Sequence, residues 1–255
     1  MISILPRPDR RSALRKAAAA LFALLIWQAA AMALAQPLLL PSPLSVAARF
    51  PALIKEGDLA PVLLVSAGRI ALGLLGGLAG GVLLAAVAAR FAAIRALLTP
   101  FLSVMKAVPV ASFIILALMW LRARDLSALI AFLMVLPVVY AAALEGLLSA
   151  ERALIDMARA FRFTFWQRLK MVRLPALKPF LKSALSASVG MAWKAGVAAE
   201  VIGLPRGTIG EKLYDAKIYL NTADLFAWTC LLVALSALYE KALLRLCDFL
   251  PGASA

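Results

Sequence analysis

Hydrophobic and polar positions fall along this chain in long blocks, not at the short periods of a soluble helix or strand. Apolar runs cover about 17–35, 60–89, 99–120, 126–148, 180–202 and 225–246. Each is close to the roughly 20 residues a helix needs to cross a bilayer. Backbone polar groups in hydrocarbon must be paired within their own element, and these runs are too long for barrel strands. The predicted class is therefore all-α, a polytopic membrane protein of about six transmembrane helices. Pro37, Pro41 and Pro43 end the first run, and the mixed segment 44–58 is predicted to lie at the membrane surface. Only five residues, Leu121 to Asp125, separate the third run from the fourth, which predicts an antiparallel hairpin. The segment 203–224 is long enough to be functional or to fold into a small helix of its own.

The longest polar interruption runs from Glu151 to Lys182 and holds eight Lys and Arg residues. At about 100° per residue, Leu154, Met157, Ala158, Phe161 and Phe165 share one face, while Arg152, Asp156 and Arg159 share the other. A short amphipathic helix that closes on Leu174-Pro175 between two spans reads as a docking surface for a soluble partner.

Composition agrees with the pattern and narrows the function. An apolar content of 64% exceeds the half or so of a soluble domain. The whole chain, 1–255, reads as one transmembrane domain with a basic N-terminal stretch at 1–16. That stretch and the run behind it imitate a secretory signal, Arg10-Arg11 even the twin-arginine type. The further runs make it an uncleaved first span. With the N-terminus inside, 17 Lys and Arg fall in cytoplasmic segments and 7 in outer ones, as the positive-inside rule requires. This puts 151–182 in the cytoplasm. A net charge of +14 could suggest nucleic acid, but no basic stretch stands apart from a span, so anionic headgroups are the expected partner. The chain has no His, and Cys230 and Cys247 show no disulfide or metal-ligand spacing, so neither a metal nor a catalytic set is predicted.

The segment GLPRGTIGEK at 203–212 imitates a phosphate loop, but its spacing is wrong and no strand precedes it. If ATP is used, another chain binds it. Ionisable groups within spans cost about 2.5–3.5 kcal/mol at the bilayer centre, so Lys106, Lys194 and Glu200 need partners or a watery cavity. Lys194 and Glu200 are six residues apart, which puts them on different faces of their helix. Lys106 and Lys194, with Trp193 and Glu200, are candidates to line a path for an anionic solute. The other reading is that the charges are neutralised by neighbouring helices and Trp193 merely packs. Arg69, near the outer end of its span, is expected to snorkel. Gly77 and Gly81 form a G-x-x-x-G that permits close helix packing, a spacing that also arises by chance in so apolar a helix.

The central stretch resembles the cytoplasmic loop of inner-membrane permease subunits of ATP-binding-cassette importers. That loop is written E-A-A, three residues, G, nine residues, I, one residue, L-P. Here the register gives Asp156-Met157-Ala158, then Arg162, Val172, Leu174 and Pro175. Met157 departs from the pattern, and Arg162 stands where the family has glycine. Ala192-Trp193-Lys194 through Ala199-Glu200-Val201-Ile202-Gly203, and Val108-Pro109-Val110-Ala111, are similar to the nitrate/sulfonate/taurine branch, and the resemblance covers about 60–246.

The resemblance implies that 151–175 carries a coupling helix, between spans four and five, that fits a groove on an ATPase. Leu154, Phe161, Phe165 and their neighbours would supply burial there, and Arg159 and Arg162 orientation. It further implies two ATPase copies holding ATP and Mg, a second permease copy and an extracytoplasmic solute-binding protein, in the bacterial inner membrane. With arginine at 162, either the helix runs on or the guanidinium is offered to the ATPase. A small anion such as a sulfonate, nitrate or bicarbonate is the expected cargo, with a neutral or aromatic precursor such as a thiamine pyrimidine as the alternative. A stand-alone secondary transporter would leave 151–182 unexplained. An intramembrane enzyme would need a convergent set that the spans do not offer.

Overall fold

The computed structural model describes residues 10–149 and 152–249, and among them it is helical with no strand. Helix α1 (Arg10–Leu34) is an outer arm whose side chains are mostly exposed. It is fastened at one end, where Trp27 Nε1 donates to the Pro41 carbonyl at 3.0 Å and its ring meets Phe226. The mixed segment forms α2 (Pro43–Lys55). Ser42 caps it by accepting from the Ser45 amide, and Pro43 takes a first-turn position where no N–H is needed. Arg49 projects from α2 to form a paired hydrogen bond and ion pair with Asp224, tying α2 to the start of the last helix, α11 (Thr222–Asp248). Hydrogen bonding to Asp224 raises the Arg49 pKa further above its ordinary value.

The centre is built from α3 (Leu59–Arg90), α6 (Ala123–Leu148) and α9 (Leu174–Gly203). One face of α3 is a glycine stripe seated directly on α6. A Cβ at Gly73 would lie 2.1 Å from the Ala128 carbonyl oxygen, and one at Gly77 would lie 2.7 Å from Val135 Cβ. Gly81 meets Val139 in the same way. With no hydrophobic drive between helices in lipid, backbone approach of this kind supplies the dispersion contact. Behind the stripe, Ile70, Leu74, Val135, Val139, Val189 and Trp193 form the main core.

The third run is not one straight helix. It is divided into α4 (Ala92–Ala107) and α5 (Val110–Leu118), which meet at 95°. Val108 is extended, at φ −72° and ψ 132°, as the residue before a proline tends to be, and Pro109 then starts α5. Among the described residues, four helices, α1, α3, α6 and α11 (Thr222–Asp248), are long and apolar enough to cross a membrane, and the bent pair makes five if it is one span. The fifth run lies in α9. At 30 residues α9 is long enough to cross, but Lys182, Lys194 and Glu200 lower its hydropathy. The segment after α9 does fold into its own helix, α10 (Ile209–Ile218).

Gly77→Leu should lower the thermal unfolding midpoint in detergent by the equivalent of about 1–3 kcal/mol, since the stripe has no room to repack. Gly68→Ala, on the exposed side of the same helix with nothing within 4 Å, should be neutral or stabilising by up to about 1 kcal/mol. Equal losses at the two sites would contradict the stripe.

Candidate functional site

The polar interruption folds into α7 (Arg152–Ala160) and then a continuous helical rod. The rod begins with α8 (Phe165–Arg168), passes through a π-helical turn at Leu169–Arg173, and continues as α9. The π turn precedes Pro175, which has no N–H to donate to the Met171 carbonyl, so the ladder adjusts there. Thr164 and Gln167 brace the start of the rod: the Thr164 amide donates to Gln167 Oε1 at 2.8 Å.

Between α7 and the rod the chain turns sharply at Arg162. Its φ is +49°, and the Phe163 amide donates back to the Ala158 carbonyl at 2.9 Å, the hydrogen bond of a left-handed helix end. So the helix does not run on: arginine makes the turn that glycine makes in the family, at a conformational cost of about 1–2 kcal/mol. On α7, Ala158 is buried and Asp156 is exposed. Leu154 and Met157 remain 41% and 40% exposed, and Phe161 at the turn is 74% exposed. Arg162 and Trp166 are exposed, whereas Val172 is buried and Leu174 and Pro175 are half-buried. The side chains of Arg159 and Phe165, and residue Glu151, lie outside the described residues. The result is an apolar ledge flanked by charge, presented by a backbone that the turn and the rod fix in place.

The path candidates do not form one cluster. Lys106 is exposed in the last turn of α4, just before the 95° bend. Lys194 is exposed on α9, on the same face as Ala187 and Met191, which are also exposed. Trp193 is fully buried, with its ring edge-on to Tyr239 at 5.3 Å.

Glu200 is fully buried and makes a joint of its own. The Ser66 hydroxyl donates to Glu200 Oε2 at 2.8 Å, and the Gly210 amide donates to the same oxygen at 3.2 Å. Ser66 Oγ in turn accepts from the Ile209 amide at 2.9 Å. One carboxylate thus fastens α3, α9 and the first turn of α10, with Arg69 and Ser127 as further neighbours. The fit leaves no slack, because a Cβ on Gly210 would lie 2.2 Å from Glu200 Cβ. Thr208 caps α10 by accepting from the Glu211 amide, and Glu211 accepts from the Gly207 amide, a variant of the capping box. The glycines that imitate a phosphate loop therefore serve a helix start and a close approach. Ser66 escaped the sequence reading. A serine inside an apolar run is an available signal for a buried carboxylate's partner. Arg69 is half-buried, with its Nη1 covered.

Apolar helices of spanning length and a polar joint closed within them define a polytopic helical membrane protein. Residues 77–240 match the family described as binding-protein-dependent transport system inner membrane component. The chain is 30% identical over 205 residues to a Bacillus subtilis (strain 168) chain named as an aliphatic sulfonates transport permease protein, SsuC. That match covers 79% of this chain and 74% of the relative. It is 26% identical over 223 residues to the taurine transport system permease protein TauC of Escherichia coli (strain K12), covering 85% and 81%. The fold is also similar to a solved amino acid ABC transporter chain, at TM-score 0.53 and 16% identity, over 78% of this chain and 95% of that one. The chain belongs to the binding-protein-dependent inner-membrane permease family, as an ABC permease of the sulfonate/taurine type. Its relatives are transport subunits, not enzymes.

Glu200→Ala should orphan the Ser66 hydroxyl and the Gly210 amide, costing about 1–3 kcal/mol for each buried group. Glu200→Gln keeps a carbonyl oxygen for both donors and should cost clearly less. Unfolding midpoints of the two purified variants separate these outcomes, and equal losses would mean the charge, not the hydrogen bonds, holds the joint.

Proposed function

We propose that this permease forms half of the path of an importer for a small anion of the sulfonate type, driven by ATP hydrolysis on a partner ATPase. The observation that carries this reading is the α7 ledge. Leu154, Met157 and Phe161 are apolar, exposed and held rigid by the Arg162 turn. Such side chains are costly to leave in water and suited to a groove on a soluble subunit. Asp156, Ala158, Arg159, Arg162 and Phe165 complete the docking set, and Leu174 and Pro175 set its distance from the membrane. ATP and Mg belong to the ATPase; this chain supplies mechanical coupling. Closure of two ATPases would draw two α7 helices together, and the rod from Phe165 to Gly203 would carry that displacement through the bilayer. Two copies of this chain, two ATPases and an extracytoplasmic binding protein complete the assembly. The N-terminus and α7 face the cytoplasm.

The cargo assignment rests on the relatives' sulfonates and taurine, and on two exposed lysines, Lys106 and Lys194, within the apolar runs. Glu200, the group that would repel an anion, is buried and hydrogen-bonded inside the protomer, which removes the main electrostatic objection. In reconstituted liposomes, Phe161→Asp should abolish solute-stimulated ATPase activity while membrane insertion persists. Unchanged stimulation would sink the docking role. Lys194→Met should reduce uptake of taurine or an alkanesulfonate, and undiminished uptake would remove Lys194 from the path.

A further inference from the structure

Helices α3, α9 and α11 do not close on one another towards the end of the bundle that carries α7. They leave a groove of about 650 Å³, with Leu78 and Val82 from α3, Leu181 and Leu185 from α9, and Leu243 and Cys247 from α11 in its wall. Leu185 and Cys247 are buried at its floor, while Leu246 and Phe249, 64% and 87% exposed, stand up along one side. Since α3 and α11 are among the helices apolar and long enough to cross a membrane, the groove lies at membrane depth.

The α3 lining spans residues 75–83, about 12 Å at the helical rise of 1.5 Å per residue. Over that length the wall is apolar throughout, which suits flexible hydrocarbon.

Its α7-side end is basic. The Lys178 ammonium donates to the Asp248 carbonyl oxygen at 2.9 Å, and Lys182 pairs with the Asp248 carboxylate. Both lysines lie close enough to the floor residue Cys247 to act on it electrostatically. Arg245 is exposed in the last turn of α11. Cations at the end of a spanning helix sit at headgroup depth, where an anionic headgroup is worth about 1 kcal/mol per Lys or Arg. We propose that this groove is a binding site for an anionic phospholipid, with an acyl chain along α3 and α11 and the phosphate at Lys178, Lys182 and Arg245.

The test uses the purified full-length chain in a neutral detergent, stripped of lipid, with phosphatidylglycerol or phosphatidylcholine of identical chains added back. Phosphatidylglycerol should raise the unfolding midpoint by several degrees more than phosphatidylcholine and persist as one adduct per chain in native mass spectra. Lys178→Gln with Lys182→Gln should erase that difference between lipids whatever it does to the absolute midpoint. Leu246→Trp, which narrows the groove from an exposed wall, should reduce the adduct at least tenfold with the lysines intact. Equal shifts from the two lipids in the unaltered protein would overturn the site, as would a phosphatidylglycerol preference that survives the double substitution. A concentration-dependent dimer that Leu246→Trp disrupts, with no lipid adduct, would assign the groove to a second copy and likewise overturn it.

Discussion

Everything else in this fold hangs on how closely α3 and α6 approach. Gly73, Gly77 and Gly81 bring the α3 backbone onto Ala128, Val135 and Val139, at separations that leave no space for a side chain. In lipid there is no hydrophobic gain from joining two apolar helices, so stability has to come from dispersion contact and satisfied polar groups. The glycine stripe supplies the first. It fixes the position of α3, from which Ser66 and Arg69 reach the interior, and so makes the second available.

That second contribution is the Glu200 joint. A carboxylate within a spanning helix is costly unless paired or hydrogen-bonded. Here a hydroxyl from α3 and an amide from α10 meet one of its oxygens. Gly210 lets the α10 backbone come into direct contact with α9. The two ends of the rod thus carry different attachments: α7 through a left-handed turn at one end, α10 through a buried carboxylate at the other. A displacement applied at the α7 end would reach the α10 end with little loss, because the connecting element is helical throughout from Phe165 to Gly203.

Much of this was legible from residue order alone. Run length and apolarity specify the class, and the spacing from Asp156 to Leu174-Pro175 points to the family. The α7 amphipathicity was readable because charge and apolarity separate cleanly at helical period. What could not be read was set by tertiary context. The third run looked continuous by hydropathy, yet Val108-Pro109 bends it by 95°, since a proline either kinks or ends a helix and sequence does not say which. Arg162 carries no sign that it adopts a positive φ; only the demand for a turn shows it. Trp193 and Glu200 are neighbours in kind to the exposed Lys194 but face the interior, and helical phase alone does not tell an inner face from an outer one. Ser66 was passed over because its partner lies 134 residues away in sequence.

In the proposed importer α7 and α10 lie on opposite sides of the membrane, with α7 facing the cytoplasm. Single cysteines at two exposed positions, Trp166→Cys near α7 and Tyr219→Cys at the end of α10, in a background with Cys230 and Cys247 replaced, test this directly. A membrane-impermeant maleimide should label position 166 only in inside-out vesicles and position 219 only in right-side-out ones. Labelling of both positions from one side, or of position 166 from the outside, would contradict it.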